Sequence, residues 1–436
     1  MQDKRALVLT RLVGGKVSLS DAALLLGLSE RSIRRLRSCY LERGPAALAH
    51  GNRGRRPVHA IDAALAERIV SLAKTTYAGC NDSHLAELLA EREGIQVSRA
   101  SVQRILRTAG LTSPRKHTRA RYRSRRERRP AAGMLLQLDA SPHAWFGNTK
   151  PRVALLGAVD DATGDVVGAI FREQEDAAGY FGVLHQVLSA HGVPLAAYSD
   201  RHSIFVAAPG KRETLEEELA GTREPTQFGR ALAELGIELI LAHSPQAKGR
   251  VERLWETFQD RLVQELRLAR ITTIDDANRF LPTYLPRHNA RFAKAPADAA
   301  AAWRALPAGM AIESVCCFKY SRLVAGDNTV RLDGVLLQLP PRAKHWSWAR
   351  QRVELRQYLD GSFSVHAPGG RELARSAIPK TPPKLRARGF TRAPIPGVQP
   401  LPVRGATSPW RKGYKDWHPA AARRTLVAAK TRGSSF

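Results

Sequence analysis

The sequence predicts a multidomain protein. All-α helix-turn-helix units come first, then an α/β core built as a mixed sheet with helices, then a small C-terminal β-barrel and a disordered basic tail. Three observations predict this. Residues 3 to 111 carry apolar positions at helical spacing, with serines before several runs and a glycine after one. Residues 133 to 304 carry three adjoining strand-like runs, then helix and strand in alternation. Residues 312 to 376 change to short strands joined through Asp-Gly turns.

A chain of 436 residues suggests two to four domains, and 43% hydrophobic content suffices for ordinary cores. The expected boundaries are 1–50, 58–113, a basic linker at 114–130, the core at 131–304, the barrel at 312–375 and the tail at 376–436. Lys and Arg number 69 against 40 Asp and Glu, a net charge of +29. Such a field draws polyanions, and double-stranded DNA is the expected partner because phosphate neutralisation supplies non-specific affinity. A membrane-surface or ribosome-bound protein is the alternative, but no basic amphipathic helix or lipid-anchor signal supports it. No run is long enough to span a bilayer, and Met1 to Arg5 lacks a signal-peptide core. No membrane partner is expected, and the expected location is the cytoplasm, on the nucleoid. Cys39, Cys80, Cys316 and Cys317 form no C-x-x-C pair, so neither a zinc site nor a disulfide framework is indicated.

Residues 3 to 44 read as three short helices. Ser20-Asp21 is the expected cap of the second, Gly27 its end, and Ser29-Glu30 the cap of the third. The third carries Ile33 and Leu36 on one side and arginines elsewhere, so Ser29, Arg31, Ser32 and Arg35 are placed to meet base edges. A small helical bundle with a solvated basic face is the plain alternative. Gly51 to Pro57, with Arg55 and Arg56, reads as a basic linker able to follow a groove. Residues 60 to 111 repeat the layout in three helices. Ser98 caps the last, whose outward polar set is Ser98, Arg99, Ser101 and Arg104. The run from Pro114 to Pro130 has Glu127 as its one acid and should order along a phosphate backbone.

In the core the strand candidates are Met134–Asp139, Val153–Val159, Val166–Phe171, Ala196–Ser199 and Glu238–Leu241. The helix candidates are Ala177–His191, Phe228–Leu235 and Arg250–Leu268, and Asp161 to Asp165 is a turn. Lys211 to Phe228 is polar and reads as an inserted loop or short helix. Asp139 ends one apolar run, Asp200 ends another, and Glu252 enters a helix. Two acids at strand ends and one on a helix can converge in an α/β fold. Three converging carboxylates in so basic a chain point to divalent cations acting on a phosphodiester. The cofactor expected is Mg²⁺, two ions per site, with Mn²⁺ as the alternative. Each acid also has an ordinary reading: a loop cap for Asp139, an arginine partner for Asp200, a solvated helix position for Glu252. Glu256, one turn on, is the runner-up third ligand, whereas Asp160 and Asp161 are assigned to the turn. Lys248 and Arg250 flank Glu252 and could hold a DNA phosphate; His202 and His243 are near but are not assigned catalysis. Beyond residue 376, Trp410, Tyr414 and Trp417 interleave with Arg411, Lys412 and Lys415, a mix that suits base stacking and phosphate contact.

The strings Leu138-Asp139-Ala140-Ser141, Tyr198 to Phe205 and Ser244 to Arg253 resemble those of the DDE transposases of the retroviral integrase superfamily, most closely the bacterial ISNCY group of insertion-sequence transposases. The resemblance implies an RNase H-like core and extends to about residue 375, including a barrel like that of phage Mu transposase. It implies that Asp139, Asp200 and Glu252 form the metal-binding catalytic triad. The separation of 200 and 252 exceeds the short gap of many integrases, and the polar stretch 211–228 accounts for the excess as an insertion. The implied activity is binding of an element's terminal inverted repeats, end cleavage and strand transfer into target DNA, by a homo-oligomer assembled on DNA. Two other readings are a DNA-binding regulator with an inactive integrase fold and a nuclease that cleaves without joining.

Overall fold

The computed structural model describes residues 2–48, 60–114, 127–206, 222–223, 225–242, 249–342, 347–380, 385 and 401–402. The chain forms two compact units, Met1–Leu72 with Gln103–Gly110, and Ala73–Val102 with Leu111–Phe436. The helical segment expected at 58–113 therefore contributes residues to both.

The first unit is helical: α1 (Gln2–Val13), α2 (Leu19–Leu26), α3 (Glu30–Arg43), most of α4 (Ala63–Lys74) and part of α6 (Arg99–Thr108). Val8, Leu9, Leu12, Ala22, Ile33 and Leu48 form its core. The cap of α2 is Ser18, not Ser20-Asp21. Ser18 Oγ accepts the Asp21 amide and the helix begins one turn earlier than its apolar run suggests. Gly27 ends α2 as expected, at φ 64°, where a residue with a Cβ would be strained. Ser29 caps α3 by accepting the Ser32 amide, and Ser98 caps α6 through the Ser101 amide.

The second unit holds α5 (Asp82–Glu93) and a five-stranded mixed sheet. Its strands are β1 (Leu136–His143), β2 (Val153–Asp160), β3 (Val166–Arg172), β4 (Ala196–Ser199) and β5 (Glu238–Leu241), in the order β3-β2-β1-β4-β5. β1, β2 and β3 pair antiparallel; β4 and β5 add on in parallel. The parallel additions need crossovers, which α7 (Ala177–Ala190) and α8 (Gln227–Glu234) supply. Two longer helices follow, α9 (Gly249–Leu268) and α10 (Ile274–Phe292).

The alternation of side chains along a strand sets up two cores. Leu156 and Ala158 of β2 join one with α7 and α8; Val153 and Leu155 join the other with α9 and α10. β2 is buried along its whole length for this reason. α9 buries Val251, Leu254, Trp255, Phe258, Leu262 and Leu266, the stripe that a 3.6-residue period places on one side. α10 covers the edge strand β3. Asn278 holds both backbone groups of Phe171, at 2.7 and 3.1 Å, and Asn289 both of Val166, at 3.0 Å each. An exposed row of strand amides is thereby closed.

The C-terminal strands differ from the expected barrel. β6 (Phe318–Leu323), β9 (Arg352–Gln357), β10 (Phe363–His366) and β11 (Glu372–Arg375) form a four-stranded antiparallel sheet in the order β11-β10-β9-β6. β7 (Thr329–Leu332) and β8 (Val335–Gln338) form a separate hairpin. Among the described residues no ladder joins the two pieces into a closed barrel; strands this short, with a shift of register at Val365/His366, close on the core by packing instead. The Asp333-Gly334 turn is as expected, with both residues at positive φ, 50° and 83°. The linker at 51–57, most of 114–130, most of the stretch 211–228, residues 243–248 and nearly all of the tail lie outside the described residues.

Candidate functional site

β1 and β4 are neighbours in the sheet and run parallel, with Leu136 beside Ala197 and Gln137 beside Tyr198. The same register carried forward sets Asp139 beside Asp200. Asp139 lies within β1 rather than at its end, because the strand runs on to His143. Asp200 follows the last residue of β4, as expected. Both carboxylates are half-buried. Alternation points both to the sheet face that α9 covers, since Leu136 and Leu138 enter the opposite core.

α9 touches β1 at two polar points. Trp255 Nε1 donates to Asp139 Oδ2 at 3.0 Å, and Gln259 Nε2 donates to Ser141 Oγ at 3.0 Å. Glu252 precedes Trp255 by about one turn and is exposed, as is Glu256. Asp200 Oδ1 accepts the His202 amide at 3.0 Å, a local turn that fixes the carboxylate as the strand ends.

A further carboxylate, Glu175, feels the charge of both aspartates. Glu175 lies just before α7 and accepts the Tyr180 hydroxyl at 2.8 Å. Burial raises its carboxyl above the usual range. The Tyr180 hydrogen bond and His202 pull it down, and Asp200 and Asp139 push it up again. Tyr180 is raised well above the ordinary phenol value, first by burial and then by Glu175, Asp139 and Asp200. Sequence reasoning missed Glu175, Tyr180 and Trp255. Trp255 alone carried a signal, its place on the apolar stripe of α9, and that signal says core.

Asp139, Asp200 and Glu175 offer only carboxylate oxygens, the donor type that hard divalent cations take. Among the described residues no three His, Cys, Asp or Glu side chains stand close enough to ligate one ion. The structure thus brings Asp139 and Asp200 together and leaves Glu252 on the flank of α9. Asp160 and Asp161 are buried in the β2–β3 turn, where they were assigned. Asp160 accepts the amides of Gly133, Ala162 and Thr163, and Asp161 accepts the Arg129 amide and Gln137 Nε2.

Of the residues proposed to touch DNA, Arg31, Arg35, Arg99 and Arg104 are exposed. Ser32 and Ser101 are half-buried, each hydrogen bonded to the serine that caps its helix. Arg55, Arg56 and Lys248 lie outside the described residues, as does His243, and the side chain of Arg250 is not described. Among the described residues no helix is long and apolar enough to cross a membrane.

A mixed sheet in this order, with two aspartates on adjacent strands and helical units of helix-turn-helix form, defines a DNA-processing enzyme. Comparison with known proteins agrees. Residues 32–106 match the homeodomain-like domain family and residues 4–57 a helix-turn-helix domain family. The chain is 36% identical over 367 residues to a putative transposase, y4bF, of Sinorhizobium fredii (strain NBRC 101917 / NGR234), covering 84% of this chain and 79% of that protein. It is 37% identical over 325 residues to the transposase for insertion sequence IS1202 of Streptococcus pneumoniae, covering 67% and 68%. The chain belongs to the DDE transposases. Among solved structures, the HTLV-2 integrase catalytic core domain in complex with magnesium matches 34% of this chain and 83% of that one, at 17% identity and a TM-score of 0.24. A simian T-cell lymphotropic virus intasome in complex with a PP2A regulatory subunit matches 72% and 100%, at 15% identity and 0.29.

Proposed function

We propose that this transposase binds the terminal inverted repeats of an insertion sequence through its helix-turn-helix units, cleaves the element's ends and joins them to target DNA. The observation that carries the reading is Asp139 beside Asp200 on adjacent parallel strands, facing the helix that bears Glu252. Asp139 and Asp200 would hold Mg²⁺ or Mn²⁺, with Glu252 closing the site from α9. Two bound ions would offset the phosphodiester's negative charge and align the attacking and leaving oxygens. The chain's own residues fix the carboxylates: the His202 amide on Asp200 and the Trp255 indole on Asp139. Arg31, Arg35, Arg99 and Arg104 supply exposed positive charge for DNA. The enzyme needs no side-chain nucleophile, because water and then the freed 3′-hydroxyl attack phosphorus. Joining two ends calls for a homo-oligomer on DNA, working in the cytoplasm on the nucleoid.

The test combines the protein, Mg²⁺, labelled element ends and a target plasmid. Joined product supports transposition, cleavage alone a nuclease, and a mobility shift alone a regulator. Asp139→Asn, Asp200→Asn and Glu252→Gln should each abolish joining while end binding stays within about twofold. Joining that survives any of these removes that residue from the site.

A further inference from the structure

Gly157 sits directly across the β1–β2 ladder from Asp139. It has no need of a glycine's backbone freedom, since it is absent from the positive-φ residues of a regular strand. What it supplies is space. A Cβ at this position would lie 3.0 Å from Cη2 of Trp255 and 3.8 Å from Cζ2. The indole therefore occupies the slot left by the missing side chain. It is 6% exposed, held edge-to-face against Phe258 with ring centroids 6.0 Å apart. Seated there, its one polar atom, Nε1, reaches Asp139 Oδ2 at 3.0 Å. A buried indole N–H needs an acceptor, and a carboxylate is a strong one. An N–H bonded to one carboxylate oxygen restrains the plane of the whole group, and with it the direction in which the carboxylate can present oxygen to a cation.

We propose that Trp255 is a positioning residue. Locked into the Gly157 slot, it orients the Asp139 carboxylate and at the same contact sets the register of α9, and so of Glu252, against β1. The inference rests on Asp139 being a metal ligand. It gives a role to the hydrogen bond by which α9 meets β1 at Asp139. A partner that orients a ligating carboxylate changes metal affinity or activity by about 10- to 100-fold when lost.

The full-length protein is titrated with Mg²⁺, and separately with Ca²⁺, while tryptophan emission is followed in the wild type, Trp255→Phe, Gly157→Val and Asp139→Asn. Strand transfer is measured against Mg²⁺ concentration in the same proteins. A further variant carries β-(3-benzothienyl)alanine at 255, which keeps the indole's shape and lacks its N–H. Binding of a cation to Asp139 should alter the emission of Trp255, so the wild type shows a saturable change that Trp255→Phe and Asp139→Asn lack. Trp255→Phe, Gly157→Val and the benzothienyl variant should need about tenfold more Mg²⁺ for half-maximal joining, with end binding and thermal midpoint near wild type for the benzothienyl variant. Wild-type Mg²⁺ dependence in the benzothienyl variant overturns the proposal, as does an emission change that persists in Trp255→Phe. Asp139→Asn separates the two levels. If it joins DNA normally, the active-site reading fails; if it is inactive while the benzothienyl variant is normal, only the role of Trp255 fails.

Discussion

Asp160 is a carboxylate with every reason to be buried other than catalysis. Its two oxygens take up the amides of Gly133, Ala162 and Thr163 and the Thr163 hydroxyl, at 2.7 to 3.2 Å. It ties the strand that enters the sheet to the β2–β3 turn. Asp139 accepts from Trp255 Nε1, a side chain of a distant helix, and stands beside another acid across the β1–β4 pairing. Truncating Asp160 leaves several buried amides without acceptors, each costing about 1–3 kcal/mol. Asp160→Ala should therefore lower the unfolding free energy in urea by at least about 2 kcal/mol. Asp139→Asn, which keeps the Trp255 acceptor oxygen, should shift it far less. A stable Asp160→Ala protein would show that water replaces the carboxylate in the turn.

At the scale of elements, α5 packs onto α9 and α10 through charges as well as apolar groups. Arg261 of α9 pairs twice with Glu87 of α5, at 2.6 and 2.8 Å, and Arg291 of α10 meets the same carboxylate. His84 and Arg92 of α5 each reach Glu265 of α9 at 2.9 Å. Burial alone would raise Glu265, but His84, Arg287 and Arg92 outweigh it and hold the carboxyl below its usual range. His288 of α10 lies among Phe258, Tyr284 and Phe292, and burial with Arg261 nearby lowers it from 6.5 to about 4. The unfolded chain then binds the proton more readily than the folded one between about pH 6.5 and pH 4. Stability must fall as pH drops through that window, by up to on the order of 3 kcal/mol from this residue. Glu265 adds to the loss only below the ordinary carboxylate range, where its depressed value is crossed. Urea midpoints measured from pH 7 to pH 4.5 should decline in the wild type and decline less in His288→Phe. Equal slopes would assign the acid sensitivity elsewhere.

Across the whole molecule, the C-terminal sheet is continuous in packing with the catalytic core. Phe318 of β6 stacks edge-to-face on Phe181 of α7 at 5.2 Å. Gln227 of α8 takes both backbone groups of Lys319, at 2.7 and 3.0 Å, and the fully buried Arg230 reaches the carbonyls of Val315 and Cys317. One apolar cluster runs through both. Charge acts at the same scale. A chain of +29 that neutralises six or more phosphates should lose about a thousandfold in end-DNA affinity between 50 and 200 mM salt. Mobility-shift titrations at several salt concentrations measure the slope. A slope near zero would mean that the excess lysine and arginine do not meet phosphate.

Much of this was readable in the sequence, and the reason is range. A cap, a left-handed glycine and a helical run each act over a turn or two, so Ser29, Gly27, Ser98 and the extent of α9 are all legible. So is Asp200 at the end of β4, and so are the Asp-Gly hairpin and the acids of the β2–β3 turn. α10 is not legible locally, because Pro282 and Pro286 lie inside it and its helix is supported by tertiary packing in the core it shares with α9 and β3. The length of β1 is not legible in its apolar run, because its pairing with β2 carries it past Asp139 to His143. By itself the sequence determined the N-terminal helices, the order of the core strands with the three helices that alternate with and follow them, the charge, and which acids to suspect. Only the tertiary structure decided that Asp139 lies beside Asp200, that Glu175 feels the charge of both, and that an indole over a hundred residues away occupies a glycine's empty place to hold Asp139. Those contacts are set by the free energy of packing whole elements together, and no local run of residues encodes it.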